Sequence, residues 1–581
     1  MKKIKGGKKM KKRFKVVAAI MLTAAMVFGT AACGGGGSGS DSDSSSTGSN
    51  QGGAETATVD TSGVAGIDGW EAFGETVKIT VPVYDRAREG FPAVDDNYWT
   101  QWVQQEFGEK YNIEVEYVAI PRGDVMTKYS MLIAAGETPT IMMEYDYPKV
   151  AQWASDGAMQ AINLDDFAHV APNYYGRMER EGQLQYSTIN GDTYFILSSR
   201  PYNDTTFTYV NFIRKDWLDQ VGLDVPTDYA QLQAAVKAFQ DNGLSDNPMG
   251  LSLPTNGYAR NYPFRDHPVN EAEWAMHSSL ATASFGWEPM EKMLRRQNAE
   301  YNAGWYSPEY ELDTDGTQVD GGSQQLADFI NGKIATYGGY MSQNVDWLNS
   351  FYEANPEGEL VVLPDSSAVE AGVVDQPIIR ADNPFGMIVG FSSLADSDEL
   401  KAAWMLMEWM MQPEVLFEME NGYEGVTYEM DEDGIPMAFG DYRGEEMLNH
   451  NNNIDMTCLV HASKEYETIE KTIKAITPKG VPQDFFPMIM GHYENLRAFA
   501  DGGYAYTDPI FAVDIVADSE YSATLLALYQ EFSVQLTKCS PDEFDALYER
   551  LSQEYIDNGY QEVMDERLAA YEAGNSTKLP K

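Results

Sequence analysis

Residues 77–83 read Val77-Lys78-Ile79-Thr80-Val81-Pro82-Val83, with an apolar side chain at every second position. This alternation predicts a strand with one buried face. A helical pattern over 99–111 and a second alternating run from Ile113 follow it. Much later, Pro226-Thr227-Asp228 precedes apolar residues at the spacing i, i+3, i+4 and i+7, which predicts a helix. Because strands and helices alternate in this way, the sequence predicts an α/β protein with at least two sheets.

The N-terminus combines a basic segment, an apolar segment and a cysteine. Residues 1–15 carry lysines and one arginine but no acid, and the apolar run Val16–Phe28 is too short to span a bilayer comfortably. The small residues Thr30-Ala31-Ala32 then lead to Cys33. This arrangement resembles a bacterial lipoprotein signal, although leucine is usual where Thr30 stands. The resemblance implies a signal peptide over 1–32 and a lipid on Cys33; the alternative is a secretory signal cut near Ala32.

The residues after Cys33 predict a flexible tether. Gly34–Gly53 holds eight Gly and seven Ser, a composition that does not build a packed core. We assign residues 33–74 to the lipidated cysteine and this tether. Cys458 and Cys539 are the remaining cysteines of a 581-residue chain. Two cysteines do not make a disulfide framework, so we expect both thiols to be unpaired.

The composition of the chain and the absence of several catalytic motifs exclude some classes of function. A formal net charge of −48 argues against binding nucleic acid and against docking on anionic lipid through charge. The sequence contains no Walker A loop, no Gly-x-Ser-x-Gly elbow and no His-Glu-x-x-His helix. Asp313-x-Asp315-Gly316 begins like a calcium loop, but Gln324 stands where the twelfth ligand should be. We therefore predict a protein that is not an enzyme and has neither a cofactor nor a metal site.

Several short stretches resemble a known family when they are taken in order. They are Gly136-Glu137-Thr138-Pro139-Thr140-Ile141, Asn190-Gly191-Asp192-Thr193-Tyr194, Ile213-Arg214-Lys215-Asp216-Trp217-Leu218 with Gly222-Leu223 and Pro226-Thr227, Phe329-Ile330-Asn331-Gly332-Lys333-Ile334-Ala335, and Asn421-Gly422-Tyr423-Glu424-Gly425-Val426 with Tyr428. Together with the lipoprotein signal, this set resembles the bacterial extracellular solute-binding proteins of the maltose-binding-protein-like group. The likeness is greatest to the long lipoprotein branch from Gram-positive bacteria.

The resemblance implies a type II periplasmic-binding-protein-like fold. In that fold two α/β lobes, each a sheet flanked by helices, are joined by a hinge and close on a ligand. By this likeness the N-terminal lobe comprises 75–205 plus 336–395, and the C-terminal lobe comprises 206–335 plus 396–581. The chain would cross between the lobes near Asp204–Asn211 and near Gly332–Tyr340.

Ligand-binding residues follow from the same resemblance where the segments match. The candidates at the ends of predicted strands and at the crossings are Tyr84, Asp85, Arg86, Glu144, Tyr145, Asp146, Asp204, Tyr340 and Met341. In the loops of the C-terminal lobe, residue type alone suggests Tyr258, Arg260 and Trp287. Ordinary packing within a lobe is the alternative role for these aromatic residues.

The predicted function is that of the substrate-binding lipoprotein of an ABC importer. Such a protein is anchored on the extracellular face of the cell membrane through its lipid alone, and it delivers its ligand to transmembrane permease subunits. We expect a monomer. The ligand is expected to be a carbohydrate, an oligosaccharide, because 12% of the residues are aromatic and can stack on sugar rings. The alternatives are a peptide-binding importer component, a tethered polysaccharide-acting enzyme and a structural adhesin.

Overall fold

The computed structural model describes residues 57–86, 91–254, 265–267, 270–279, 281–313, 324–341, 347–373, 377–439, 442–448, 455–477, 481–482 and 485–577. Cys33 and the predicted signal peptide lie outside this range, as do Tyr258 and Arg260. Residues Ala54–Lys581 form one compact unit, separate from Met1–Gly53. Within the described part of the chain, no helix has the length and apolar character needed to cross a membrane.

Short strands and longer helices alternate along the chain. The strands are β1 (Val77–Asp85), β2 (Ile113–Pro121), β3 (Ile141–Glu144), β4 (Thr188–Ile189), β5 (Asp192–Thr193), β6 (Ile196–Leu197), β7 (Tyr209–Arg214), β8 (Thr336–Tyr340), β9 (Leu360–Val362), β10 (Ile379–Arg380), β11 (Ile388–Phe391), β12 (Tyr428–Met430), β13 (Pro436–Ala438) and β14 (Ala505–Tyr506). The helices are α1 (Tyr98–Val103), α2 (Glu109–Tyr111), α3 (Val125–Ala135), α4 (Tyr147–Ser155), α5 (Leu164–Val170), α6 (Pro172–Arg180), α7 (Lys215–Val221), α8 (Tyr229–Asp241), α9 (Glu271–His277), α10 (Glu288–Asn302), α11 (Gln324–Ile330), α12 (Trp347–Ala354), α13 (Ser397–Met410), α14 (Pro413–Asn421), α15 (Ile469–Ile476), α16 (Phe485–Asp501), α17 (Val516–Lys538), α18 (Phe544–Tyr555) and α19 (Gln561–Glu572). This order agrees with the predicted α/β class.

The first lobe is built on β1, β2, β3, β6 and β11. β1 and β2 are parallel, with Val77 opposite Ile113, while β11 pairs antiparallel with both β3 and β6. β1 lies beside β3, where the Thr140 backbone N–H donates to Thr80 Oγ1 at 2.7 Å. Further along the same two strands, the Tyr84 hydroxyl donates to Glu144 at the end of β3. Because both contacts have the same sequence offset, β3 runs parallel to β1.

The second lobe contains an antiparallel sheet in the order β8-β7-β9 and a group of C-terminal helices. α8 shows how local sequence determines its helices. The Asp228 side chain caps the helix by accepting from the Gln231 backbone N–H at 2.8 Å. The predicted apolar face is buried against the neighbouring helix and sheet, with Leu232, Val236 and Phe239 almost inaccessible to solvent. Both features confirm the prediction of this helix.

The lobe boundaries differ from the predicted ones at two places. Residues 336–395 were assigned to the first lobe, but β8 pairs with β7 over Thr336–Tyr340 and so belongs to the sheet of the second lobe. Residues 396–581 were assigned to the second lobe, but α13 buries Leu400 and Trp404 in the core of the first lobe. The expected crossing near Gly332–Tyr340 is wrong for the same reason, because that segment is a sheet strand.

The predicted tether over 33–74 is also too long. The described residues from 57 onward pack on the first lobe, where Val59 is buried. The Trp70 indole N–H donates to the Val170 carbonyl at 3.1 Å, and the Gly66 backbone N–H donates to the His169 carbonyl at 2.8 Å. These contacts satisfy polar groups and bury apolar area, so this segment is part of the lobe.

Three chain segments run side by side where the lobes meet, over residues 198–206, 381–387 and 460–466. The Ser198 backbone N–H donates to the Met387 carbonyl at 2.9 Å, and the Ala462 backbone N–H donates to the Ser199 carbonyl at 2.8 Å. The Arg200 guanidinium joins two of the segments, since it donates to Asp382 and to the carbonyls of residues 383 and 385. A hinge made of crossing segments that lie side by side lets two lobes move as rigid bodies.

The two described cysteines are unpaired, as expected. Cys458 is buried in the first lobe and its thiol donates to the Asp455 carbonyl at 3.0 Å. Cys539 lies at the end of α17 in the second lobe. The two thiols therefore belong to different cores.

Candidate functional site

Five side chains meet where β1, β2 and β3 end, and we call them the strand-end cluster: Tyr84, Arg86, Arg122, Glu144 and Tyr145. The Tyr84 hydroxyl donates to Glu144 Oε2 at 2.7 Å. Arg122 follows β2, and its Cζ lies 4.7 Å from the centre of the Tyr84 ring and 5.9 Å from that of Tyr145. Because the three strands are parallel, their carboxyl ends share one edge, which is where open α/β sheets bind ligands.

The strand-end cluster is held by charge. Arg86 binds Asp455 through two hydrogen bonds of 3.0 Å, one from Nε and one from Nη2. Burial raises the pKa of the Asp455 carboxyl, and the charge of Arg86 opposes this rise. Arg122 Nη1 lies 3.6 Å from Glu144 Oε1. These pairs fix the guanidinium groups before any ligand arrives, which lowers the entropy lost on binding.

Asp146 links the cluster to α4, since it is the residue immediately before that helix. Its Oδ1 is buried and has no hydrogen-bond partner among the described residues. Burial raises the pKa of Asp146 to about 7, the charge of Lys149 opposes the rise, and Glu144 and Asp518 reinforce it. Glu144 belongs to the first lobe and Asp518 to the second. Asp146 therefore lies where acids from both lobes approach each other.

A small cavity lies beside α4, and we call it the interlobe cavity. Its first-lobe wall comes from α4, and its second-lobe wall comes from the end of α9, the segment 508–515 and helices α17 and α19. The residues that line it are Tyr147, Pro148, Ala151, Ser278, Ser279, Asn383, Asp508, Pro509, Ile510, Phe511, Val513, Asp514, Ile515, Asp518 and Arg567.

The structure brings the first-lobe candidates together. Tyr84, Arg86, Glu144 and Tyr145 are members of the strand-end cluster, and Asp146 adjoins it. Asp85, the last residue of β1, is half-buried beside them. The candidates that follow the first and third strands therefore lie close together, and their role in ligand binding stays a prediction.

The second-lobe candidates have mainly packing partners. Asp204 accepts from the Tyr493 hydroxyl at 2.6 Å and from Thr206, and it pairs with Arg497. Burial alone would raise the pKa of Asp204, but these hydrogen bonds and the arginine lower it. Asp204 thus joins a crossing segment to α16, which gives it a structural role.

The remaining described candidates are aromatic or apolar. Tyr340 packs edge-on against Tyr209 with ring centres 5.5 Å apart. Met341 is 2% exposed in the second-lobe core, and Trp287 is buried and stacked on His277 with ring centres 5.0 Å apart. Packing is therefore the better interpretation for Met341 and Trp287. Tyr258 and Arg260 remain predictions outside the described residues.

Four polar residues of the site were missed by the sequence analysis. Arg122 follows β2 as Arg86 follows β1, so the rule that ligands bind beyond strand ends could have identified it. Asp455, Asp518 and Arg567 have no such local signal. They reach the site only because the first-lobe core and the C-terminal helices fold back onto it.

Comparison with known proteins identifies the family. Residues 93–416, more than half of the chain, match the family described as bacterial extracellular solute-binding protein. Lipoprotein LipO of Bacillus subtilis (strain 168) is 26% identical over 155 residues, which are 25% of this chain. The match spans 29% of the length of LipO.

Solved structures share the fold along most of the chain. The alginate-binding protein AlgQ2 without calcium ion has a TM-score of 0.59 at 13% identity, covering 86% of this chain and 99% of AlgQ2. The substrate-binding protein FusA of the S. pneumoniae ABC transporter, in complex with kestose, has a TM-score of 0.55 at 14% identity, covering 86% and 100%. This likeness shows the two-lobed fold. The chain therefore belongs to the bacterial extracellular solute-binding proteins.

Proposed function

We propose that this protein captures an oligosaccharide between its two lobes and delivers it to the permease of an ABC importer. The observation that carries the proposal is that α4 of the first lobe and the C-terminal helices of the second face each other next to the strand-end cluster, where Asp146 lies close to acids of both lobes. A ligand held there touches both lobes. It therefore favours the closed arrangement over the open one, which is how a ligand drives a hinge.

The chemistry of the site suits a carbohydrate. Sugar rings have apolar C–H faces that pack on aromatic rings and hydroxyl rims that hydrogen-bond to charged side chains. Tyr147 supplies a ring on the cavity wall, and the neighbouring strand-end cluster adds the Tyr145 ring and the polar groups of Glu144 and Arg122. Two structures with the same fold are described as alginate-binding and as a complex with kestose. A chain with a net charge of −48 disfavours strongly anionic ligands.

A lipid anchor places this function on the outer face of the membrane. The basic and apolar N-terminal segments and Cys33 have the order of a lipoprotein signal, and the matched relative LipO is itself called a lipoprotein. A diacylglycerol with a further acyl chain suffices for stable anchoring. We therefore place the protein on a Gram-positive cell surface as a monomer beside its permease.

Binding without turnover distinguishes this function from its alternatives. We expect calorimetry of the purified full chain to detect binding in a panel that contains kestose, maltotriose and an alginate trisaccharide, with each sugar recovered intact by chromatography. Recovery of shorter sugars would establish the polysaccharide-acting enzyme instead, whose two carboxylates would flank the scissile bond about 5–10 Å apart. If the protein binds only short peptides in the same assay, the carbohydrate proposal is wrong.

A single ring in the cluster tests the location of the site. Tyr145→Ala removes an aromatic face that lies near Arg122, so the binding free energy of the sugar should fall by about 1–3 kcal/mol. The control is Tyr504→Ala, because Tyr504 is 37% exposed and belongs neither to the strand-end cluster nor to the cavity wall. If both variants bind the sugar with equal affinity, Tyr145 is not part of the binding site.

A further inference from the structure

The third crossing segment, residues 460–466, is attached to both lobes within a few residues. On the first-lobe side it lies against the end of α14, whose Val415 and Met419 belong to the first-lobe core. On the second-lobe side, the Tyr466 backbone N–H donates to Thr472 Oγ1 at 2.8 Å, and this threonine lies in α15, which packs in the second-lobe core. A rotation of one lobe relative to the other must therefore change the backbone within this short segment.

Two residues at the end of α14 bind side chains of the crossing segment. The Tyr466 hydroxyl donates to Asn421 Oδ1 at 2.9 Å, and Lys464 Nζ donates to the Glu420 carbonyl. A cation near the last carbonyls of a helix also interacts favourably with the helix dipole. His461 Nε2 lies within ion-pair distance of the Glu420 carboxylate. We call His461 and Glu420 the hinge pair.

The hinge pair is buried, since His461 is 6% exposed and Glu420 is 7% exposed. Burial alone would lower the pKa of His461, but the charge of Glu420 and its hydrogen bond with the imidazole raise this pKa above its ordinary value. Glu465 on the same segment reinforces the rise, and Arg177 on α6 opposes it. Arg177 is itself paired with Glu181 at 2.9 Å. His461 therefore keeps its proton to a higher pH than a free histidine does.

The two protonation states of His461 hold the crossing segment differently. A protonated imidazole and the carboxylate attract each other strongly, because buried charges are screened less than exposed ones. When the imidazole loses its proton, the Glu420 carboxylate stays buried without that positive charge, which is unfavourable. The carboxylate regains solvation if the segment moves away from α14. By linkage, each pH unit over which only one arrangement holds the proton changes the ratio of the two arrangements by up to about tenfold.

The lobes are in contact in the arrangement that contains the hinge pair. Lys149 on α4 of the first lobe donates from Nζ to Ser522 Oγ on α17 of the second lobe at 2.7 Å. At the turn between β4 and β5, the Asn190 backbone N–H donates to the Ala512 carbonyl at 2.9 Å. A movement of the lobes that opens the space between them must break such bonds, so the radius of gyration of the chain reports the release of the hinge.

We infer that the hinge pair is a pH switch for the movement of the two lobes. While His461 is protonated, the pair holds the crossing segment against α14 and favours the observed arrangement, in which the lobes are in contact. When His461 loses its proton at alkaline pH, the segment is released and the lobes separate more often. This inference rests on the two-lobed fold and on the crossing segments, and it does not depend on the proposed ligand.

The test measures the full chain without sugar at pH 6 and at pH 9, at one ionic strength. Small-angle X-ray scattering gives the radius of gyration, and hydrogen exchange gives the protection factors of the backbone amides in residues 460–466. The parent protein carries Asp146→Asn, because Asp146 also titrates near neutral pH. The primary variants in this parent are His461→Gln, which cannot take up the proton, and Glu420→Gln, which removes the partner charge.

We expect the parent to have a larger radius of gyration at pH 9 than at pH 6, with protection factors in the crossing segment that are lower by about tenfold or more. His461→Gln and Glu420→Gln should each give, already at pH 6, the values that the parent gives at pH 9. His267→Gln is the matched control, because His267 lies 3.6 Å from Glu273 outside the crossing segments; it should respond to pH as the parent does. General damage to the fold would lower protection throughout the chain, so a change confined to the crossing segment identifies the hinge pair.

Three outcomes contradict the inference. If the radius of gyration and the protection factors of the parent are the same at both pH values, the hinge pair is not a switch. If His461→Gln keeps the response of the parent, another group is responsible for it. If protection falls at pH 9 while the radius of gyration stays constant, the pair stabilises the segment without controlling the lobes. These measurements contain no sugar, so each outcome leaves the proposed function to its own test.

Discussion

At the scale of single residues, Asp146 shows how the site is adjusted before a ligand binds. Its carboxyl is enclosed at the start of α4, close to acids from both lobes, and burial raises its pKa to about 7. Lys149 opposes the rise, but this lysine also donates to Ser522 in α17 at 2.7 Å. Asp146 can therefore carry a proton near neutral pH and donate a hydrogen bond, which a charged carboxylate cannot do.

The raised pKa of Asp146 predicts how stability depends on pH. The folded protein keeps a proton that the unfolded chain loses between about pH 4 and pH 7, so this residue lowers stability as the pH rises through that window. The total effect is up to about 4 kcal/mol. In melting experiments, Asp146→Asn should match the wild type near pH 4 and become progressively more stable than it towards pH 8.

The control for this series is Asp192→Asn, because Asp192 is exposed at a hairpin in the same lobe. Its melting temperature should follow the wild type at every pH. If the curves of Asp146→Asn and the wild type run parallel from pH 4 to pH 8, Asp146 does not hold a raised pKa.

At the scale of elements, the three crossing segments connect the site to the motion. The backbone bonds that join them are few, and Arg200 makes three side-chain bonds to the segment that contains Asp382. Asp204 fixes the first segment to α16 through Tyr493. Backbone bonds and side-chain bonds, including those from Tyr202 to Glu465 and to the Tyr466 carbonyl, therefore hold the hinge along its length.

Arg200→Lys should loosen this hinge. The lysine keeps the charge but cannot reproduce the fork that reaches two carbonyls and a carboxylate, so stability should fall by about 2–4 kcal/mol. Arg550→Lys is the matched control, because Arg550 makes one exposed pair with Glu554 on α18 and such pairs contribute little. Melting temperatures of the two variants provide the comparison. Equal melting of both variants would show that Arg200 does not fasten the crossing segments.

Elements with strong local signals could be predicted from the sequence. β1 alternates apolar and polar residues, and α8 has both a capping aspartate and a regular apolar face. Near β8 the sequence predicts a strand over Ile334–Tyr337, but the observed strand is Thr336–Tyr340, because pairing with β7 extends it through Gly338 and Gly339. The segment from residue 57 looks like a linker by composition, yet Trp70 and Val59 find partners in the first lobe. In both cases, contacts between residues far apart in the sequence determine the observed structure.

The residues of the candidate site also fall into two groups: those that the sequence indicates, and those that only the folded chain brings together. The resemblance alone points to Tyr84, Glu144 and Tyr145 as candidates, and the structure places them at the ends of β1 and β3, which share one edge. Asp518 and Arg567 lie on two different C-terminal helices, and no spacing within either helix indicates that both face one cavity. Only the packing of those helices against α9 and the segment 508–515 brings them together.

At the scale of the whole molecule, the protein is a two-lobed extracellular solute-binding protein. Its net charge of −48 keeps it soluble and discourages association with other copies. Under the proposed function, the N-terminal residues supply attachment and the lobes supply recognition.

Replacing Cys33 tests the attachment separately. Cys33→Ser removes the thiol that would carry the lipid, so the protein should move from the membrane fraction to the culture medium. Its lobes should remain folded, with an unchanged melting temperature, because Cys33 precedes every described contact. Cys539→Ser is the control and should stay with the membrane, since Cys539 lies in the second lobe. Retention of Cys33→Ser in the membrane fraction would reveal another anchor.

Small-angle X-ray scattering of the full chain directly measures whether the two lobes close on a sugar. The radius of gyration is recorded with and without a saturating sugar from the calorimetric panel, with an equal concentration of a non-binding sugar as the control. The binding sugar should reduce the radius of gyration, and the non-binding sugar should leave it unchanged. An unchanged radius of gyration with a bound sugar would contradict capture by closure of the two lobes.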